Sequence, residues 1–480
     1  MRITGDKGLH LFVRKDVQTD ILKKTGLSKS LSAFSLTTMG VGAIVGAGIF
    51  ITPGIIAAKF AGPSAWLSFV LAAVVCSFAA LCYSEFSSTI PLAGSAYTYV
   101  YSVFGEFIAW ILGWALVSEY LFSVSAVAAS WSAYFQNLLA GFNIYLPEGL
   151  RAAIGTTGQP HAFFDLPAFI IIMIISGLLI EGVRESAKVN SIMVIIKILV
   201  ILLFIGVGAF FVKPANFTPM MPFGFNGVVS GAAVAFYAYI GFDAVSTAAE
   251  EVKNPQKNVP IGIIGSLLIA TILYIALSVV LVGIVKYSKL SVADPVAYSL
   301  HFIHQNWVAG IISLGAVIGM TTVLIVFLYG GTRLVFAISR DGLLPPVLSK
   351  LSLRSHSPKA NTWIFGILGS VFACIIPIDK ITELVNIGTL FAFAMVSIGI
   401  VFLRRDPKFK NLDTAFKVPF YPYLPILSFI LCVGLMLQLK PFTWIAFTIW
   451  LIIGLIIYAS YGFHHSKIRN ALNSQTTGLK

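Results

Sequence analysis

Three ionisable residues lie deep inside long apolar runs of this 480-residue chain: Lys197, Glu119 and Asp243. An ion at mid-bilayer costs at least about 2.5–3.5 kcal/mol, so such residues are retained where a pathway or a partner uses them. Counted from the start of its run at the helical rise, Lys197 lies about 12 Å along and Glu119 about 18 Å along. Lys197 reads in two ways. Its stem could snorkel toward the interface. Alternatively, a desolvated lysine that gains and loses a proton can replace a bound metal cation as the driving charge. Glu119 reads either as a pocket carboxylate or as a hydrogen-bond partner for a neighbouring helix. Asp243 reads as a tie for a broken helix or as a substrate contact. Glu250 and Glu251, close to Lys253 and Lys257, read as solvated or gate-forming.

Two apolar runs are interrupted by glycine. The first contains Gly40, Gly42 and the cluster Gly46-Ala47-Gly48, followed by Pro53-Gly54. The second carries Gly241 two residues before Asp243. Glycine costs about 1 kcal/mol in a helix interior, and a break in lipid exposes backbone groups that need partners. Small-residue packing accounts for some of these glycines. The sharper reading is a pair of discontinuous helices. Amides freed at the first break, with the positive end of the half-helix that follows, favour a carboxylate. Carbonyls freed at the second favour an ammonium. An α-amino acid carries both groups on one carbon.

The surrounding elements follow from composition. The chain is 58% hydrophobic and 11% charged, far from the quarter charged that is typical of soluble domains. This excludes a disordered chain, a disulfide scaffold and an ordinary soluble enzyme. Apolar spans are expected near 34–57, 64–84, 107–130, 166–180, 189–212, 227–249, 260–285, 307–332, 361–378, 384–403, 421–439 and 442–462. With the N-terminus placed in the cytoplasm, 24 Lys and Arg fall on that side, seven on the other, and Lys197 within a span. That is the positive-inside pattern, so twelve spans with both termini cytoplasmic is self-consistent. The net charge of +13 is then a cytoplasmic bias and not a nucleic-acid surface. The cationic start lacks a short apolar core with a cleavage site and reads as a tail. Cys76, Cys82, Cys374 and Cys432 all lie in apolar spans and read as buried hydrophobes. The seven histidines fall in loops or tails, so no metal site or cofactor is expected. HExxH, GxSxG and GxxxxGK[ST] motifs are absent, which weighs against a hydrolase or an ATP-driven pump.

The first broken span enters from the cytoplasm, and the second, five spans later, from outside. Matching interruptions in oppositely oriented halves point to an inverted-repeat transporter. The expected organisation is an all-α membrane protein: a tail over 1–30, a ten-helix 5+5 repeat over 31–403, two further helices over 404–462 and a tail over 463–480.

Five ordered stretches carry a resemblance. They are Gly241-Phe242-Asp243-Ala244-Val245-Ser246-Thr247 continuing to Pro260-Ile261-Gly262, Pro91-Leu92-Ala93-Gly94-Ser95, Ser339-Arg340-Asp341-Gly342-Leu343, Glu383-Leu384-Val385-Asn386-Ile387-Gly388, and Phe416-Lys417-Val418-Pro419-Phe420. Over about residues 30–460 the chain resembles the amino acid–polyamine–organocation superfamily, and within it the cationic amino acid transporter family. The resemblance implies the LeuT fold and proton-coupled symport or exchange of amino acids in a bacterial inner membrane. It implies that Ile44, Gly46, Ala47 and Gly48 in the first break, with Tyr237, Ala238 and Ile240 in the second, hold the substrate backbone. It implies a pocket role for Glu119 and Met320 and proton coupling by Lys197. Two departures stand out: Ala47 sits where relatives often carry a hydroxyl, and Gly330-Gly331-Thr332-Arg333 replaces a glutamine-bearing version. The bulk of Met320 favours a neutral, small apolar substrate over a cationic one. An exchanger of amino acids or polyamines is the nearest rival, and a channel or a non-transporting sensor the more distant ones. The expected partners are an amino acid, protons and the bilayer, with no nucleic acid; the sequence does not set the oligomeric state, and a monomer is compatible with it.

Overall fold

The computed structural model describes residues 12–15, 31–90, 95–156, 158–181, 187–247, 252–352, 357–409 and 416–470. Glu250, Glu251 and most of the two tails lie outside them. The described chain is helical, with a single isolated bridge between Leu31 and Val252.

In chain order the helices are α1 (Ala33–Ile44), α2 (Ala47–Ile56), α3 (Ala65–Thr89), α4 (Ser95–Phe104), α5 (Glu106–Gly141), α6 (Leu166–Glu181), α7 (Ala187–Ala209) and α8 (Gly224–Tyr239). They continue with α9 (Ala244–Thr247), α10 (Pro255–Ile284), α11 (Pro295–Phe302), α12 (Asn306–Arg340), α13 (Lys359–Ile375), α14 (Ile378–Arg405), α15 (Tyr423–Leu437) and α16 (Pro441–Ile457). Among the described residues, eight apolar helical stretches are long enough to cross a membrane, and four shorter apolar helices accompany them.

The helices outrun several of the expected spans. α5 runs to Gly141 and not 130, α3 to Thr89 and not 84, and α12 to Arg340 and not 332. Apolar runs mark the hydrocarbon layer, whereas these helices continue into polar surroundings, where their own hydrogen-bond ladders still satisfy the backbone. The short helices α4 and α11, 10 and 8 residues long, are below the length at which an apolar run reads as a span.

α5 and α14 form much of the buried centre. α5 is buried from Ala115 to Ala128 without a break. Its serines sit there because their hydroxyls bond back to the preceding turn, as from Ser118 to the Ala115 carbonyl and from Ser130 to that of Ala126. α16 is fastened to α5 by tryptophans. The Trp114 and Trp450 indoles donate to each other's carbonyls at 2.7 and 2.8 Å, and Trp110 donates to Gly454 at 3.0 Å.

The face that carries both described termini is laced by ion pairs. The buried Glu85 carboxylate takes two bonds from Arg404, at 2.7 and 2.6 Å, and a third from the Val418 amide at 2.6 Å. Glu106 takes Arg469 at 2.7 Å, Tyr101 and Tyr458 at 3.0 Å each, and Ser466. Lys15 and Tyr97 share Asp341, at 3.3 and 3.0 Å.

Candidate functional site

The two sequence interruptions are breaks in the structure, and they meet. α1 ends at Ile44, Val45 leaves the helical region with ψ 83°, and α2 starts at Ala47 with no side-chain cap. The first amides of α2 therefore lack intrahelical acceptors. α8 ends at Tyr239 and Ile240 turns extended, with ψ 137°. Gly241 follows at φ +118°, a left-handed conformation that a side chain strongly disfavours. Gly241, Phe242 and Asp243 then form a non-helical turn before the single helical turn of α9.

The contact between the breaks is made backbone to backbone. A Cβ placed on Gly48 would lie 2.5 Å from the Ala238 Cα, and one on Gly241 would lie 2.9 Å from the Ala43 carbonyl carbon. The glycines thus allow each broken segment to lie directly on the other. The Val323 side chain of α12 presses on Gly46. Sequence reasoning missed a third participant, Tyr274 of α10. Its fully buried hydroxyl donates to the Ile44 carbonyl at 2.8 Å and to that of Ala238 at 2.6 Å, bridging both breaks. The lone phenol in the uncharged stretch Ile261–Val285 was the available signal, since buried tyrosine hydroxyls seek partners.

Lys197 is 1% exposed. Its ammonium donates to the Gly42 carbonyl at 2.9 Å, one turn before the first break. Its stem lies against Gly319 of α12, next to the fully buried Met320. The snorkelling alternative therefore does not describe this lysine: its head bonds inward to α1. Of the other residues singled out, Ile44, Ala47, Gly48, Ala238 and Ile240 are all buried at the crossing, and Tyr237 is 7% exposed.

Glu119 occupies a different place, behind the second break. It is 2% exposed, faces Asp243 and the Thr389 hydroxyl, and leaves Oε2 without a hydrogen-bond partner. Tyr83 and Tyr120 flank the same carboxyl pair. The amides of Gly241, Asp243 and Ala244 lie close to the Asp243 carboxylate, which is buried against its own turn. Among the described residues, then, the structure brings together the two breaks, Tyr274, Lys197 and the Gly319–Met320–Val323 face of α12. Glu119 lies in a second polar pocket that abuts them through Asp243.

The model of the amino acid permease family matches residues 31–459, which contain both breaks and every buried group just described. The chain belongs to the amino acid permease family. Its relatives extend over nearly its whole length. It is 49% identical over 462 residues to the branched-chain amino acid permease BcaP of Bacillus subtilis, covering 95% of this chain and 99% of that protein. It is 48% identical over 460 residues to the methylthioribose transporter of the same organism, with the same coverage. BcaP of Lactococcus lactis is 38% identical over 450 residues, covering 91% of this chain and 95% of that protein. This member of the permease family is a multi-pass membrane transporter and not an enzyme.

Proposed function

We propose that this permease imports amino acids together with protons, and that it favours a neutral, apolar side chain over a cationic one. The observation that carries the reading is the crossing of the two breaks. Free amides at the start of α2 and carbonyls at the end of α8 come together at one point, which suits the carboxylate and ammonium of one α-carbon. Eight long and four shorter apolar stretches make twelve crossings when α1 joins α2 as one broken span and α3, which shares the stretch Ala47–Thr89 with α2, counts as the next. On this reading they form a LeuT-like 5+5 repeat with α15 and α16 appended. The face rich in Lys and Arg, which carries both termini, is cytoplasmic. The broken helices then rock with their neighbours against α5 and α12 to alternate access.

Lys197 is the proton-coupling residue on this reading, as its bond to Gly42 links its charge state to the first break. Lys197→Ala should abolish the response of uptake to an imposed pH gradient; uptake that still follows the gradient would sink the assignment. Ile44, Gly46, Ala47, Gly48, Tyr237, Ala238 and Ile240 contact the substrate backbone. Met320 limits side-chain size, and Glu119 approaches the substrate from behind the second break. Met320→Ser should admit longer side chains; unchanged arginine uptake would remove Met320 from the pocket wall. One relative's name supports a second reading. Methylthioribose lacks both charges of an amino acid, and a transporter named for it is as similar to this chain as BcaP is. The deciding experiment is proteoliposome uptake of radiolabelled branched-chain, small neutral and cationic amino acids and methylthioribose, with and without an inward proton gradient. Omitting internal counter-substrate tests the exchanger. Binding without accumulation would favour a sensor, and currents far above carrier turnover a channel.

A further inference from the structure

The end of α5 farthest from the termini carries four polar side chains within six residues: Ser132, Tyr134, Gln136 and Asn137. Three of them divide between two carboxylates. On one side Ser132 donates to Asp165 at 2.6 Å, and the Ala168 amide of α6 joins at 3.1 Å. Gln136 braces that side by donating to Ser132 at 2.9 Å and to the Arg151 carbonyl at 2.7 Å. On the other side Asn137 donates to Asp294 at 2.7 Å, while Ser313 of α12 donates to the Asn137 side-chain oxygen at 3.0 Å.

Asp294 is the residue immediately before α11, a helix of two turns laid over α2. Pro295 sits against Gly54 of α2, and Pro295, Val296, Ala297, Ser299 and Leu300 are buried beneath and beside it. Tyr134 completes the junction by donating to the Phe50 carbonyl of α2 at 2.9 Å. The half-helix that follows the first break is therefore covered by α11, and α11 is moored at its start to α5 and α12 through one chain of side chains.

We propose that Asp294–Asn137–Ser313 is a protonation-operated latch: ionised Asp294 holds α11 down over α2, and proton uptake by Asp294 loosens it. Two effects act in the same direction. A hydrogen bond to a carboxylate is about twice as strong as a neutral one, and an anion at a helix start is favoured by the helix dipole; protonation weakens both. Burial pushes Asp294 up to about 6, while its backbone amide, His301 and Asn137 act against that rise. The titratable groups that sense it are Tyr134 on α5 and His301 on α11. Asp165 works the same helix end but ties it to α6, away from α11, and so provides an internal control.

The test reads α11 directly and needs no substrate, so its failure is distinct from failure of the transport reading. Cys76, Cys82, Cys374 and Cys432 are all buried, and Ser299→Cys adds a nearly isosteric reporter beneath α11. Labelling by a maleimide in detergent is measured from pH 7.5 to 5 and divided at each pH by the rate in the unfolded protein. The expected result is about a fivefold rise toward acid, the size that separates charged from neutral hydrogen bonds. Asp294→Asn should flatten the profile, whereas Asp165→Asn should leave it intact. Asn137→Ala, which keeps the aspartate, should give the acid-like rate already at pH 7.5. A flat parent profile, a profile that persists in Asp294→Asn, one equally lost in Asp165→Asn, or an unchanged rate in Asn137→Ala at pH 7.5 would each overturn the latch.

Discussion

Gly48→Ala is the smallest substitution that separates the two breaks. The added methyl would stand 2.5 Å from the Ala238 Cα and 2.8 Å from its Cβ. Carbon atoms in ordinary contact lie about 3.5–4.0 Å apart, so the segments must part by about 1 Å or more. No flexible side chain can yield there, because one partner is backbone. Overpacking of this kind costs about 1–3 kcal/mol. The displaced atoms are those that line the crossing, and about 1.4 kcal/mol of lost contact corresponds to tenfold in affinity. We therefore expect substrate binding to fall by about tenfold or more, along with a lower melting temperature. The assay pairs scintillation-proximity binding with thermal unfolding in detergent. Gly177→Ala in α6 and Gly206→Ala in α7 are the controls: a Cβ at either meets nothing within 4 Å. There the same chemical change should be neutral or stabilising, by up to about 1 kcal/mol of helix propensity. If Gly48→Ala binds and melts like its parent, the backbone-to-backbone crossing is not the binding element.

Tyr274→Phe removes the donor that serves both breaks and leaves the Ala238 carbonyl unpaired, while Ile44 keeps the Gly46 amide, so stability should fall by about 1–3 kcal/mol; an unchanged melt would show that the hydroxyl does not bridge them. Glu85→Gln strips the charge from a carboxylate held by Arg404 and the Val418 amide. Disrupted buried pairs cost about 3–5 kcal/mol, and the 23% exposure of the Arg404 side chain puts the expected loss at or below the lower end of that range, read as a melting shift. For Asp165, burial pushes the carboxyl up to about 7, above the value near 4 expected in the unfolded chain. The folded state then holds the proton more tightly, so its stability declines as pH rises from about 4 to 7. Asp165→Asn should flatten that decline and melt above the parent at pH 8; a parent-like slope would refute the assignment.

Much of the site was legible in the chain. Glycine clusters in apolar runs announced both breaks because their cost demands a reason, and Lys197 and Glu119 stood out because ions are rare in lipid. What the sequence did not disclose was pairing. Tyr274 lies 230 residues from Ile44, and Glu85 lies 319 from Arg404; no local period encodes such contacts. Glu119 shows the same limit. Its depth was readable, but its partnership with Asp243, 124 residues away in the chain, has no local signature. Helix lengths were missed because polar helical ends look like loops to hydropathy.

The phenol at Tyr274 has one hydrogen and two carbonyl neighbours. At any instant a single bond can be fully made: given to Ala238, it leaves Ile44 with the Gly46 amide at 2.9 Å, and given to Ile44, it leaves the Ala238 oxygen short of a donor. The Ala238 side of the crossing is therefore acceptor-rich, opposite the free amides that open α2. An incoming ammonium would supply the missing hydrogens, and a ligand without donors would leave the deficit in place. On the proposed transport reading, the resting site lacks a hydrogen-bond donor that the cargo would supply.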